Sequence, residues 1–334
     1  MVTMASADSA LKNYYLGAVS QQLNTAVNPF LAKIRQSTAD VWGKEVRRLA
    51  QYGEDGDLPS AAGNNYEQFV TTLKNLYGTL EISDKAVRAS ENSAGAFVNL
   101  LNAEMEGLIR SSSFNFGRML FGDGSGVLCK VKSVSGNTVT VDSVINLIEG
   151  MCVDILSSAG AEISGAAARR ITAVDRDKKT FTVSGNTLSG VAEGNLVCVQ
   201  GSYNLELTGL GAIFKSTGTL YGLDRATHSW MIPYMKASVG AISEIAIQTA
   251  IDRLEEQAGS RVDFIVCSWG VKRALQKALS ESRMLTGTAE LAGGYRAMTY
   301  NGIPVVADRF CPAGTMYLLN TSDFCLHQLC DWKW

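Results

Sequence analysis

Between Val127 and Leu207 the chain runs through the same pattern twice. Val131, Val134, Val139, Val141, Glu149, Gly150, Val153 and Ile155 recur as Ile171, Val174, Phe181, Val183, Glu193, Gly194, Val197 and Val199, with an offset that drifts from 40 to 44 residues. The drift places the extra residues in turns, and within each copy the apolar positions alternate with polar ones, the period of a half-buried strand. Each copy reads as strand, turn, strand, longer loop, then a Glu-Gly turn and a third strand. A lone three-stranded unit leaves an apolar face and its edges open, whereas two copies facing each other close them. The pattern predicts a small six-stranded barrel or sandwich over 127–207. It is inserted between segments of different texture.

Those segments are helical or α/β. Over 93–121, Phe97, Leu101, Met105, Leu108, Ile109, Phe116 and Leu120 keep a three/four spacing, with Asn92 or Ser93 as N-cap and Gly122-Asp123-Gly124-Ser125-Gly126 as the stop. About 28 residues at ~1.5 Å each make a rod of roughly 42 Å. Residues 37–78 form two apolar-bearing limbs around a tip, Glu54 to Asn65, of loop composition. The spacing of Trp42, Val46 and Leu49, and of Tyr66, Phe69, Val70, Leu73, Leu76 and Tyr77, predicts helix in both limbs. Only Leu76, Gly78, Leu80 and Ile82 alternate as a strand would. Residues 1–36 sustain no period and read as an arm that orders against something else.

After the repeat, a helix is expected over about 240–258, stopping at Gly259, then a buried strand Phe264-Ile265-Val266-Cys267. Ser268 caps a further helix carrying Val271, Leu275 and Leu279. Asn301-Gly302 is a two-residue hairpin signal, and Pro304 confines the strand that follows to an edge or to its own first residues. Pro312-Ala313-Gly314 turns the chain into Met316-Tyr317-Leu318-Leu319.

Composition narrows the function. Thirty Lys and Arg against 32 Asp and Glu leave a formal charge of −2, so bulk charge recruits no nucleic acid. The seven cysteines are scattered and odd in number, which reads as reduced thiols serving as small apolar residues. No stretch approaches the ~18–20 apolar residues of a membrane span, and the N-terminus lacks a signal-peptide pattern, so a cytoplasmic origin is expected. No phosphate loop, zinc-protease or nucleophile-elbow pattern is present.

Weaker constellations have bland readings. Asp224, His228 and Ser229 are adjacent in sequence, which is no sign of a triad. Cys311, Cys325, His327 and Cys330 lack the paired Cys-x₂₋₄-Cys knuckles that structural zinc favours. Asp175/Asp177 and Glu255/Glu256 read as solvated acids. No catalytic, cofactor-binding or metal-binding residue is assigned, and no enzymatic activity is expected. Lys44, Arg47 and Arg48 beside Trp42 form the best basic-plus-aromatic patch. Glu45, Glu54, Asp55 and Asp57 offset its charge, which favours a neighbouring protein surface over nucleic acid.

The order of these parts resembles the major capsid protein of tailed bacteriophages, the Johnson fold shared with encapsulin shells. Tyr77-Gly78-Thr79-Leu80-Glu81-Ile82-Ser83-Asp84-Lys85 looks like the family's strand before its spine helix, here 93–121 closing on Phe121-Gly122-Asp123-Gly124. Asp263-Phe264-Ile265-Val266 with Ser268 and the helix after it looks like the axial domain, and Asn301-Gly302-Ile303-Pro304-Val305-Val306 like a strand near the family's C-terminus. The resemblance implies an α+β fold: N-terminal arm 1–36, extended loop 37–78, peripheral domain 79–126 with the spine helix, inserted β domain 127–207, and axial domain with connecting strands 208–334. It implies a shell subunit that assembles with itself into pentamers and hexamers, encloses double-stranded DNA without reading its sequence, needs no cofactor or membrane, and resides in the virion. Scaffold, portal and decoration proteins are further partners by the same resemblance.

There are two departures. Family members commonly continue past the point matching Trp334 into a returning strand, so a truncated or unusual end is expected. The family also has a long β-hairpin where period predicts helical limbs here. The Lys–Asn cross-link of some members maps onto no pair in this chain.

The physical case is partly independent of the resemblance. Two limbs carrying Trp42, Val46, Leu49, Tyr66, Phe69 and Leu73 around a polar tip are too thin to bury their own apolar side, and such patches mark protein contact. The expected subunit-interface residues are Trp42, Arg47, Arg48, Tyr66, Phe69 and Leu73. Two other readings make different demands. A hydrolase with an appended β module needs a pocket with paired carboxylates or a histidine. A monomeric carbohydrate- or surface-binding protein needs aromatics on the β module, which holds only Phe181 before Tyr203.

Overall fold

The computed structural model describes residues 35–37, 41–42, 45–51, 66–78, 94–281, 288–291 and 295–329. In chain order the elements begin with strands β1 Arg35–Ser37, β2 Val41–Trp42, β3 Glu45–Gln51 and β4 Tyr66–Thr72, then helix α1 Ala94–Phe121. Strands β5 Val127–Ser135, β6 Thr138–Val141, β7 Cys152–Leu156, β8 Arg169–Asp175, β9 Thr180–Val183 and β10 Leu196–Val199 follow. The short helix α2 Leu210–Ile213 leads to β11 Thr219–Leu220, β12 Leu223–Asp224, α3 Glu244–Ala258, β13 Phe264–Cys267 and α4 Trp269–Glu281. The last strands are β14 Thr288–Leu291, β15 Tyr295–Tyr300, β16 Ile303–Ala307, β17 Met316–Leu319 and β18 Cys325–His327. The chain divides into two compact units, Gly117–Phe214 and the remainder on either side of it.

In the 117–214 unit the six strands of the repeat close into a barrel in the order β10-β5-β6-β9-β8-β7. A barrel leaves no free edge, and the inward side chains of a small one fill it. Val131, Val139, Val141, Val153, Ile155, Ile171, Phe181, Val183 and Val197 are all almost wholly buried. The two copies are related by a pseudo-two-fold operation that extends to the hydrogen bonds. β5 pairs with β6 as β8 pairs with β9, each with a register shift at the same place, between Val131 and Ser133 and between Ile171 and Ala173. Gly150 N–H donates to the Ile171 carbonyl at 2.8 Å and Gly194 N–H to the Val131 carbonyl at 2.9 Å. Both glycines are left-handed, φ 88° and 84°, which explains the Glu-Gly signal in each copy: only glycine takes that conformation without strain. The pseudo-axis passes through the opposed pairs Val139/Phe181 and Asp154/Cys198.

The chain enters this unit on the last turn of α1 and leaves it through α2. Gly209, just before α2, lies against the end of α1, where an added Cβ would meet the main-chain oxygens of Met119 and Leu120. Backbone oxygens cannot swing aside as a side chain can. Gly209→Ala is therefore expected to destabilise this unit by about 3 kcal/mol, read as a lower midpoint in thermal unfolding followed by circular dichroism.

The other unit contains a five-stranded sheet in the order β14-β15-β16-β13-β17, with β13 parallel to β16 and antiparallel to β17. Its core joins Ile247 and Ile251 of α3 and Leu275 and Leu279 of α4 to Ile265, Met298, Tyr300 and Val305 of the sheet. α3 begins at Glu244, a few residues later than expected, where Ser243 Oγ accepts from the Ala246 amide at 3.2 Å, and it ends at left-handed Gly259 as expected. Asn301 and Gly302, φ 49° and 82°, make the expected tight turn between β15 and β16. Pro304 sits in the first residues of an internal strand, ahead of the point where pairing with β13 starts at Val305. Its missing amide therefore costs no bond to β13.

α1 has the 28 residues expected of the rod. Within this unit its Phe114 meets Phe310 edge-on, with ring centroids 5.1 Å apart, and Arg309 lies 4.7 Å over the Phe114 ring. Gly78 abuts Leu108 so closely that a Cβ there would meet that side chain at 2.5 Å.

The helical expectation for residues 37–78 is corrected. β2, β3 and β4 form a three-stranded antiparallel sheet, with seven consecutive pairs between β3 and β4, from Glu45/Thr72 to Gln51/Tyr66. Residues 73–78 have no regular structure. Apolar residues at three/four spacing fit both periods in so short a run. Cross-strand pairing and the aromatic and β-branched content of Tyr66-Glu67-Gln68-Phe69-Val70-Thr71-Thr72 decide for strand. The tip 54–65, residues 1–34 of the arm 1–36, the proposed strand at Leu80 and Ile82 and the proposed N-cap at Asn92 or Ser93 lie outside the described residues; the arm's last residues, Arg35 and Gln36, belong to β1 and pair with Cys325 and Leu326 of β18.

Candidate functional site

The six residues expected at a subunit interface fall in and just after the β2-β3-β4 sheet. Trp42 pairs with Glu45, Arg47 with Val70, Arg48 with Phe69 and Tyr66 with Gln51. Because successive residues of a strand alternate faces, this register puts Trp42, Arg47 and Tyr66 on one face of the sheet and Arg48 and Phe69 on the other. The side chains of Trp42, Arg47, Arg48 and Tyr66 lie outside what is described. Leu73 follows the end of β4 and is half-buried.

Phe69 packs against its own chain. Its ring lies 6.0 Å from that of Tyr221, edge-on, and 5.9 Å from that of Trp230. On the same strand, Val70 N–H donates to the Tyr221 carbonyl at 2.8 Å. Glu67 Oε1 is 3.8 Å from His228 Nε2. His228 Nδ1 lies 2.9 Å from the Asp224 carbonyl and 2.8 Å from Thr227 Oγ1, and Nε2 faces the carboxylate. One strand of the hairpin is thus fixed to the 221–230 segment by an aromatic wedge, a main-chain bond and a His–Glu contact. The sequence reading left Tyr221, His228 and Trp230 out of this set. Their only local signal is aromatic density, Tyr221, Trp230 and Tyr234 within 14 residues.

The other candidate chemistries resolve locally. Asp224 meets His228 through its main-chain oxygen, while its carboxylate accepts from the Ala226 amide at 3.1 Å. That is turn geometry, and the Asp224 carboxylate does not orient the imidazole. Among the described residues no group of three or more His, Cys, Asp and Glu side chains could hold a metal ion, and Cys330 lies outside them. The described cysteines are free thiols. Burial pushes the Cys198 and Cys311 thiols up to about 12 and Cys267 to about 11, and raises Cys129 well above its usual value. All four therefore stay protonated at neutral pH and pack as small apolar groups. Among the described residues no helix is long and apolar enough to cross a membrane.

Comparisons with protein-family models, with curated proteins and with solved structures found no match.

Proposed function

We propose that this chain is the major capsid protein of a tailed bacteriophage or prophage, assembling with itself into an icosahedral shell that encloses double-stranded DNA. The observation that supports the reading is the order of the parts along the chain. An antiparallel hairpin, β3–β4, precedes the 28-residue helix α1, then a separately clustered barrel, then a five-stranded sheet carrying two helices. In the Johnson fold these correspond to extended loop, spine helix, inserted domain and axial domain. The hairpin is fixed to its own body at Phe69 and Glu67 on β4. A hairpin held at one strand offers its remaining surface to neighbours at a defined angle, and contacts made after the first docking form at high effective concentration. Head-to-tail contacts of this kind close into rings around five- and six-fold axes. A formal charge of −2 lets many copies pack with little mutual repulsion.

The test is the size of the purified full-length protein by light scattering and negative-stain imaging. Closed particles of many hundreds of kilodaltons or more are expected. A species that stays at the 35.8 kDa of one chain across concentration and ionic strength would refute the reading.

A further inference from the structure

The two helices on the five-stranded sheet carry opposite charge. α3 and α4 join one core through Ile247 and Ile251 of the first and Leu275 and Leu279 of the second. α3 holds four acids, Glu244, Asp252, Glu255 and Glu256, against the single base Arg253, whose guanidinium lies 5.1 Å over the Tyr234 ring. α4 holds three bases, Lys272, Arg273 and Lys277, against Glu281.

These charges sit where the helices themselves disfavour them. A helix is stabilised by anions at its N-terminus and cations at its C-terminus. Glu255 and Glu256 occupy the last turn of α3, which holds no basic residue. Lys272 closes the first turn of α4, which holds no acid, and Arg273 follows it. Among the described residues none of Glu255, Glu256 and Arg273 forms an ion pair. The arrangement weakens each helix alone, and a facing surface of opposite sign offsets that loss.

The two outer faces are also laid out alike. Asp252 and Glu256 are exposed one turn apart on α3, as Arg273 and Lys277 are on α4, about 6 Å along the axis in each case. In both helices an exposed apolar side chain precedes the charged pair, Ile245 at 78% and Trp269 at 55% exposure. Laid parallel, the faces set acid against base and isoleucine beside tryptophan. A polyanion bound along α4 would run beside the acids of α3, whereas a second copy of this chain presents the matching pattern.

We infer that α4 of one copy packs in parallel on α3 of a second copy, with Arg273 and Lys277 against Asp252 and Glu256. The inference rests on the reading of the chain as a self-assembling subunit, and names one of the contacts that assembly uses. The charges steer the encounter and set its register, and Trp269 leaves water beside Ile245.

Charge reversal in the full-length protein tests it. Arg273→Glu/Lys277→Glu and Asp252→Lys/Glu256→Lys each set like charges face to face, and each is expected to lower particle yield at least ~10-fold. With all four changes the signs are reversed on both helices, and yield is expected to return to within about 2-fold of wild type. Arg273→Glu and Glu256→Lys bring each helix into accord with its own dipole, so the thermal midpoint of the dissociated subunit is not expected to fall. A paired variant that assembles like wild type, or a four-change variant no better than the pairs, overturns the inference and leaves the shell reading intact. Wild-type protein that never assembles overturns both. Binding of the free subunit to double-stranded DNA that Arg273→Glu/Lys277→Glu abolishes, while Asp252→Lys/Glu256→Lys assembles normally, assigns α4 to nucleic acid and overturns the inference alone.

Discussion

Glu206→Ala is expected to destabilise the 117–214 unit by about 3–5 kcal/mol. Arg118 stands on the last turn of α1 and Glu206 seven residues after the end of the last barrel strand. Their side chains meet in a fork: Nη1 donates to Oε2 at 2.8 Å and Nη2 to Oε1 at 2.6 Å, with both residues 4% exposed. Neither charge would be buried alone, because leaving water costs an isolated ion several kcal/mol. Removing the carboxylate leaves the guanidinium in the same dry site with its counter-charge gone, and that is where the loss comes from. The pair itself need not be strongly stabilising. Arg118→Met/Glu206→Leu, which removes both charges and keeps apolar volume, is therefore expected to recover most of the loss. The 117–214 unit contains no tryptophan, so hydrogen exchange of the barrel strands is the suitable probe. A double variant as unstable as Glu206→Ala would show that the fork contributes by geometry, beyond mutual neutralisation.

The fork also marks the limit of what the sequence discloses. The barrel was legible because a repeat carries its own control: two copies with the same alternation, the same Glu-Gly turn and the same spacing point to one unit folded twice. α1 was legible because one period runs uninterrupted to a glycine cluster. The turn at Asn301-Gly302 was legible because its backbone demands those residues. In these cases the signal and the structure it specifies occupy the same few residues. The hairpin failed that condition. Trp42, Val46 and Leu49 satisfy a helical period by spacing alone, and the information that makes β3 a strand lies in β4, which starts 15 positions after β3 ends. Phe69 finds Tyr221 and Trp230 about 150 positions away, and Arg118 finds Glu206 88 positions away. A single sequence carries no mark of such pairings, because a phenylalanine at a wedge looks the same as one at a subunit interface. Of the six interface candidates, the sheet register divides the hairpin residues between two faces, a separation that helical spacing could not express.

Phe181→Ala is expected to cost the barrel about 3–5 kcal/mol, measured by chemical denaturation with exchange of the barrel amides as the local probe. Phe181 sits on the pseudo-axis opposite Val139, and both are essentially fully buried, at 1% and 0% exposure. The axis makes a sharper prediction possible. The copies place equivalent backbone at β6 and β9, so the large and small members of the central pair occupy related positions. Val139→Phe alone adds a ring to a filled interior and is expected to destabilise by about 1–3 kcal/mol. Phe181→Val alone opens a cavity and is expected to cost about 2–3 kcal/mol. The exchange Val139→Phe/Phe181→Val conserves volume and moves the ring across the axis. If the interior is as symmetric as the hydrogen bonds around it, the exchanged protein is expected to lie within about 1.5 kcal/mol of wild type, and so to be more stable than the sum of its single changes. Strict additivity of the two losses would mean that the side chains packed around the pair have diverged. The two-fold relation would then be confined to the backbone.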